Sequence, residues 1–353
     1  MTSGQQAKGT PRPGGSPGGS PGGEVTMRAI VQESYGSAGV LHMAQIPSPG
    51  IGEDEVLIQV HAAGLDRGTW HVTTGLPYAL RLAYGIRAPK NPVPGLDLAG
   101  TVIAVGAAVT RFSAGDHVFG AGKGPFAEYA TARESQLARK PANISFEQAS
   151  VVPVSACTAL QALRTAGPIT PGQKVLVLGA SGGVGSYAVQ LAKASGAVVT
   201  GVSSTGKMDL VRSLGADHVI DYTRQDFADG SEHYDLILDI AGNPGLARLR
   251  RALTRTGTAV ITGGEEGGPW TGSIDRQFRA LALSPFISQR LTMVLAKAEA
   301  ADLEHLAGLI EAGTLTPTLD RTYPLEQVPD AMRYFDAGKT RGKIAITIPK
   351  SGS

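Results

Sequence analysis

The segment Val175–Gln190, VLVLGASGGVGSYAVQ, decides how the rest of the chain is read. A run of aliphatic residues ends in glycines at Gly182, Gly183 and Gly185, and an amphipathic stretch follows with Val184, Ala188 and Leu191 on one face. That order predicts a buried strand, a tight turn and a helix. Glycines in such a turn let the backbone approach a pyrophosphate, while the helix N-terminus offers unpaired N–H groups and the positive end of its dipole. The candidate contacts are Ala180, Ser181, Gly182, Gly183, Val184 and Gly185. Ala180 stands in the first place of the usual G-x-G-x-x-G pattern, so the glycines alone are weak evidence. The strand before them and the β-branched strand VVTGV beyond favour dinucleotide binding over a purely structural turn.

The end of that next strand bears on which dinucleotide is bound. An NAD site usually carries Asp or Glu about 20 residues past the glycines, bonded to the adenosine ribose. Here Ser203 fills the acidic slot, followed by Ser204 and Lys207, and the next carboxylate is Asp209 inside a predicted helix. A 2′-phosphate would meet no repulsion, so NADPH is the expected cofactor. The alternative for Lys207 is a solvated lysine at a helix start.

Composition narrows the class further. The 353 residues are 42% hydrophobic, and the formal charge of +2 gives no reason to expect a nucleic-acid or membrane partner. No apolar run approaches the roughly 18 residues needed to span a bilayer. The single cysteine, Cys157, excludes a disulfide framework and fits a cytoplasmic location. Residues 1–26 contain repeated Gly/Pro/Ser units with nothing to bury, and a disordered tail is expected there.

Two textures follow that tail. Residues 27–152 show short strands and Gly/Pro turns, as in MRAIVQ, EVLIQVHAAG and DLAGTVIAVG, and predict a β-rich domain. Residues 153–288 alternate strands with helices of ten or so residues, which predicts a parallel sheet covered on both faces. In residues 289–353, helices at 302–312 and 325–337 lead to a strand, GKIAITIP, that can rejoin the β-rich domain.

In order along the chain, AAGLDRGTWH (62–71), PGLDLAG (94–100), RFSAGDHVFG (111–120), GASGGVG (179–185) and SLGADHVIDY (213–222) resemble the medium-chain dehydrogenase/reductase superfamily. The resemblance covers nearly all of residues 27–349. It implies an α/β fold in which a doubly wound Rossmann sheet is inserted into a GroES-like catalytic domain, with the active site between them. Zinc-dependent members hold their metal with Cys, His and Cys, and the corresponding positions here are Asp66, Leu96 and Val154. Two of those three are aliphatic, whereas a tetrahedral catalytic site needs three protein ligands. No metal site is therefore expected.

The pattern resembles the zinc-free branch, the quinone oxidoreductases and related enone, enal and enoyl reductases. Without a Lewis acid, hydride delivery to a conjugated carbonyl or a quinone is easier than oxidation of an alcohol. An alcohol or ketone dehydrogenase and a catalytically silent nucleotide-binding protein are the alternatives. For an enone, hydride adds at the β carbon and a proton at the α carbon. Tyr78 is the leading proton donor or pocket residue, with His71 and Asp66 beside it. The family often has Asn and Tyr where Asp66 and His71 stand, and Asp66 reads equally as a plain turn carboxylate. The resemblance further implies cofactor contacts at Thr158, Tyr222, Ala241, Gly263, Gly264 and Phe286, the last in a loop closing over the nicotinamide. A homodimer is implied by the same analogy.

Overall fold

The computed structural model describes residues 1–2, 25–263 and 268–349. Most of the Gly/Pro/Ser-rich tail, and Gly264 among the expected cofactor contacts, lie outside the described residues.

Lys174–Leu178 is the strand that the opening segment predicts, and it occupies an interior position of a six-stranded parallel sheet. Its alternate residues serve two cores. Val175 and Val177 pack with helices Pro153–Ala166 and Gly183–Ala194, while Leu176 and Leu178 pack with helices Leu246–Ala252 and Ile274–Leu283. Burial on both faces explains why this strand reads as a continuous aliphatic run rather than an alternating one. Across the sheet the strands run His218–Asp221, Val198–Ser203, Lys174–Leu178, Tyr234–Asp239, Leu253–Ile261 and Arg290–Met293. The strand order reverses between Lys174–Leu178 and Tyr234–Asp239, and ligands of open α/β sheets bind at such a switch point, beyond the strand C-termini.

The second large sheet has seven strands and is built around the long strand Glu55–Leu65. The C-terminal strand Lys343–Thr347 joins it antiparallel, pairing Ile344 with Leu65 and Thr347 with Ala62. The chain thus returns to its first domain, as the GKIAITIP segment suggests. The boundary expected at residue 289 needs correcting. Arg290–Met293 pairs with Leu253–Ile261 as the last strand of the parallel sheet, so the return begins after Met293. Four residues are too short a run to signal sheet membership by composition.

Candidate active site

The glycine turn is built by close approach. Gly179 leaves the strand at φ +81°, a left-handed conformation that glycine adopts without penalty. A Cβ at Gly179 would lie 2.5 Å from Cβ of Ala241, and a Cβ at Gly185 would lie 2.1 Å from the Gly179 carbonyl oxygen. The tight turn therefore falls on Gly179, one residue before Ala180, and Gly185 allows the helix to pack on the strand. Gly182 precedes the first helical residue, Gly183, with Ser181 before it in the turn and Val184 next in the helix. Ala241 is brought against the turn across the switch point. Gly263, beyond strand Leu253–Ile261, lies in the same crevice and accepts a hydrogen bond from Arg276 Nη2 at 3.0 Å.

At the adenosine end, Ser203 is the buried last residue of its strand, and its carbonyl accepts from the Tyr222 N–H at 3.2 Å. The Tyr222 ring is 60% exposed, open to stack on a base. Lys207 donates from Nζ to the Gly338 carbonyl at 2.8 Å. Sequence reading missed its companion Arg341, which donates to the Gly206 carbonyl at 2.6 Å and to Asp209 at 2.7 Å. The carboxylates nearby are already engaged. Asp209 faces Arg341, and Asp221 accepts from the hydroxyls of Thr205 and Thr223, which hold it below the usual carboxylate range.

On the catalytic side, Asp66 caps helix Arg67–Thr74 by accepting from the Thr69 N–H at 2.7 Å. Its turn role is real, yet its second oxygen, Oδ2, is buried with no hydrogen-bond partner. A buried, unpaired acceptor is costly unless a ligand donor completes it, and a ribose hydroxyl fits that requirement. His71 donates from Nδ1 to the Leu76 carbonyl at 2.6 Å, bracing the loop that carries Tyr78. Tyr78 belongs to a seam between the two sheets. Its N–H donates to the Pro269 carbonyl and that of Ala79 to the Trp270 carbonyl, at 2.8 and 3.1 Å. The Tyr78 ring meets Trp270 edge-on at 5.3 Å, and the Arg81 guanidinium lies 4.6 Å from its centre. Beyond Trp270 a cavity of about 400 Å³ is lined by Asn243, Leu246, Thr271 and Arg276.

One expectation is corrected here. Phe286 precedes strand Arg290–Met293, whose parallel pairing starts opposite Thr258, and the neighbouring Ser288 and Gln289 bond to the Arg255 and Arg250 carbonyls. Phe286 is thus at the N-terminal edge of the sheet, opposite the cofactor crevice, and is 84% exposed. Thr158 gives its hydroxyl proton to the Val154 carbonyl at 2.6 Å, one turn back in its own helix.

The metal positions are occupied as the sequence indicates, and each neighbour has another task. Leu96 and Val154 carry no donor side chain, and the Val154 N–H caps onto Asp97 at 2.8 Å. Among the described residues no group of three or more His, Cys, Asp or Glu is placed to hold a metal ion. Burial pushes the Cys157 thiol up to about 12, which makes it a packing residue rather than a nucleophile. Elemental analysis of the purified protein should accordingly find far less than one zinc per chain, with activity unchanged by chelators. One bound zinc, lost together with activity, would overturn this expectation.

Residues 52–142 match the alcohol dehydrogenase GroES-like domain, and residues 214–346 match a family described as zinc-binding dehydrogenase. The 2-methylene-furan-3-one reductase of Solanum lycopersicum is 33% identical over 91% of this chain and 79% of its own length. The chloroplastic NADPH-dependent alkenal/one oxidoreductase of Arabidopsis thaliana is 34% identical over the same shares. The quinone oxidoreductase from Coxiella burnetii superposes with a TM-score of 0.81 at 27% identity, covering 92% of this chain and all of that one. The chain belongs to the medium-chain dehydrogenase/reductase superfamily, in its zinc-free quinone oxidoreductase-like branch. As a member of that branch it is a nicotinamide-dependent oxidoreductase. Its family description mentions zinc, but Leu96 and Val154 carry no ligand at two of the three positions. Among the described residues no helix is long and apolar enough to cross a membrane.

Proposed function

We propose that this oxidoreductase uses NADPH to reduce α,β-unsaturated carbonyls or quinones, with Tyr78 as the proton donor for the carbon acceptors. The observation that carries the reading is the seam at Pro269–Trp270, which ties the Tyr78 loop to the dinucleotide domain. The bound cofactor supplies the hydride; the chain supplies position and a proton. Asp66 Oδ2 accepts from the nicotinamide-side ribose, Gly182, Gly183 and Val184 seat the pyrophosphate, and Tyr78 protonates the α carbon. The relatives named as an alkenal/one oxidoreductase and a furanone reductase support a conjugated acceptor. NADPH consumption against a panel of enones, enals and quinones, with NADP+ reduction against simple alcohols, tests this reading. Turnover confined to alcohols would refute it, and so would the absence of turnover with every acceptor.

For the adenosine end we propose that Ser203, Ser204, Lys207 and Arg341 receive the 2′-phosphate, with Tyr222 against the adenine. NADPH should bind at least tenfold more tightly than NADH, a difference of about 1.4 kcal/mol. Fluorescence titration of both cofactors checks it. Equal dissociation constants, or a Lys207→Ala/Arg341→Ala protein with parental NADPH affinity, would refute the assignment.

We also propose a homodimer through strand Arg290–Met293, which is an edge of the six-stranded sheet. Light scattering that returns a monomer mass would exclude it. A cytoplasmic location rests on the lone thiol alone, and several relatives carry chloroplastic or mitochondrial names. Imaging a tagged chain in its own cell decides between them.

A further inference from the structure

Beneath the glycine turn lies a buried ion pair joining distant parts of the chain. Lys343 is 2% exposed, and its Nζ donates to Asp97 Oδ2 at 3.1 Å. Asp97 is fully buried, and its Oδ1 accepts the Val154 N–H at 2.8 Å, which caps helix Pro153–Ala166. The stem of Lys343 runs directly against the cofactor turn. A Cβ at Gly183 would meet Lys343 Cδ at 2.8 Å and Ser155 Oγ at 3.1 Å. One residue earlier, the Gly342 N–H donates to the Ser181 carbonyl at 2.8 Å. The catalytic sheet is thus attached to the turn at Ser181 and lays the stem of Lys343 against the first residue of its helix.

That placement is unfavourable without an anion. A helix N-terminus carries roughly half a positive charge, and the ammonium at the end of that stem adds a buried positive charge behind the turn. Asp97 offsets the ammonium from one side, itself crowded by the nearby Asp66 carboxylate. The other groups that face Asp97, the Cys157 thiol and the Tyr187 phenol, are neutral, with both pushed upward by burial. A pyrophosphate on Gly182–Val184 would supply negative charge on the opposite side. We propose that Lys343 is a cofactor-positioning residue: with its stem under Gly183 and its ammonium held by Asp97, its charge draws the pyrophosphate onto the turn and fixes how deeply the dinucleotide enters.

This inference rests on the dinucleotide seating at the glycine turn, and the test separates the two. Lys343→Met alone would strand a buried carboxylate, whereas Asp97→Asn/Lys343→Met removes both charges, a change that is often neutral for folding. The double variant should melt near the parental temperature and bind NADPH at least tenfold more weakly. Its KM for the acceptor at saturating NADPH should be unchanged. Lys343→Arg should recover most of the affinity. A folded double variant with the parental NADPH dissociation constant would overturn the proposal and leave the pair as a structural clamp. If the double variant does not fold, Lys343→Gln, which keeps a donor for Asp97 without the charge, decides in the same way. A parental protein that binds neither NADPH nor NADH would instead refute the seat itself.

Discussion

Tyr78→Phe should lower the turnover of an enone about 100-fold and leave NADPH affinity essentially unchanged. General acid catalysis typically contributes about 10²- to 10⁴-fold, and the lower end is expected because water can replace the donor in a half-exposed site. The substitution is mild for the fold. The Tyr78 backbone is held by the Pro269 carbonyl, and its ring is held by Trp270 and Arg81, contacts that do not use the hydroxyl. Quinone reduction should fall much less, since a quinone takes its protons on oxygen and solvent supplies them readily. A pocket-wall residue would behave differently, raising KM for both acceptors with little effect on kcat. Steady-state kinetics with one enone and one quinone therefore distinguish the two roles. An enone turned over at the parental rate would remove Tyr78 from the chemistry and direct attention to His71, Tyr84 or solvent.

What could be read before the structure divides by the range of the interaction. Strand, turn and helix at Val175–Gln190 are local features, so period and glycine placement were sufficient to expect them. Ser203 was legible for the same reason, because it ends the next strand. Arg341 was not: its partner Asp209 is 132 residues away, and nothing in TRGKIA distinguishes a guanidinium at a cofactor edge from one in solvent. Lys343 and Asp97 are 246 residues apart, and a lysine that opens a strand ordinarily reads as a solvated end. Phe286 failed for a topological reason. The segment matched a familiar loop, but the direction of strand Arg290–Met293 turns it away from the crevice. Asp66 caps its helix through Oδ1, as a turn carboxylate does, and its Oδ2 is buried without a hydrogen-bond partner.

Arg276→Met should destabilise the protein by about 3–5 kcal/mol, the usual cost of removing one partner from a buried ion pair. Arg276 is 5% exposed and its guanidinium joins three acceptors from separate segments: Asp239 Oδ2 at 2.6 Å, the Pro244 carbonyl at 2.9 Å and the Gly263 carbonyl at 3.0 Å. Methionine fills similar volume but strands all three acceptors. Burial already raises Asp239 to about 7 even with the arginine beside it, so its carboxyl will hold a proton still more firmly once the arginine is gone. The pH dependence follows from that proton. Between the unfolded carboxylate range and the raised folded value, the native state binds a proton that the unfolded chain does not, so stability falls as pH rises. Relative to the parent, the variant should therefore lose least near pH 5 and most near pH 8. Denaturant unfolding at both values measures this, and a deficit that grows toward acid would contradict the assignment. Asp239→Asn/Arg276→Met should regain much of the stability, because no buried charge remains, yet the Pro244 and Gly263 carbonyls would still lack their donor. The family resemblance puts Gly263 among the cofactor contacts, so weakened NADPH binding should persist in the refolded double variant. If the double variant recovered both stability and affinity, Arg276 would be present only to neutralise Asp239, and the shape of the crevice would depend on the backbone alone.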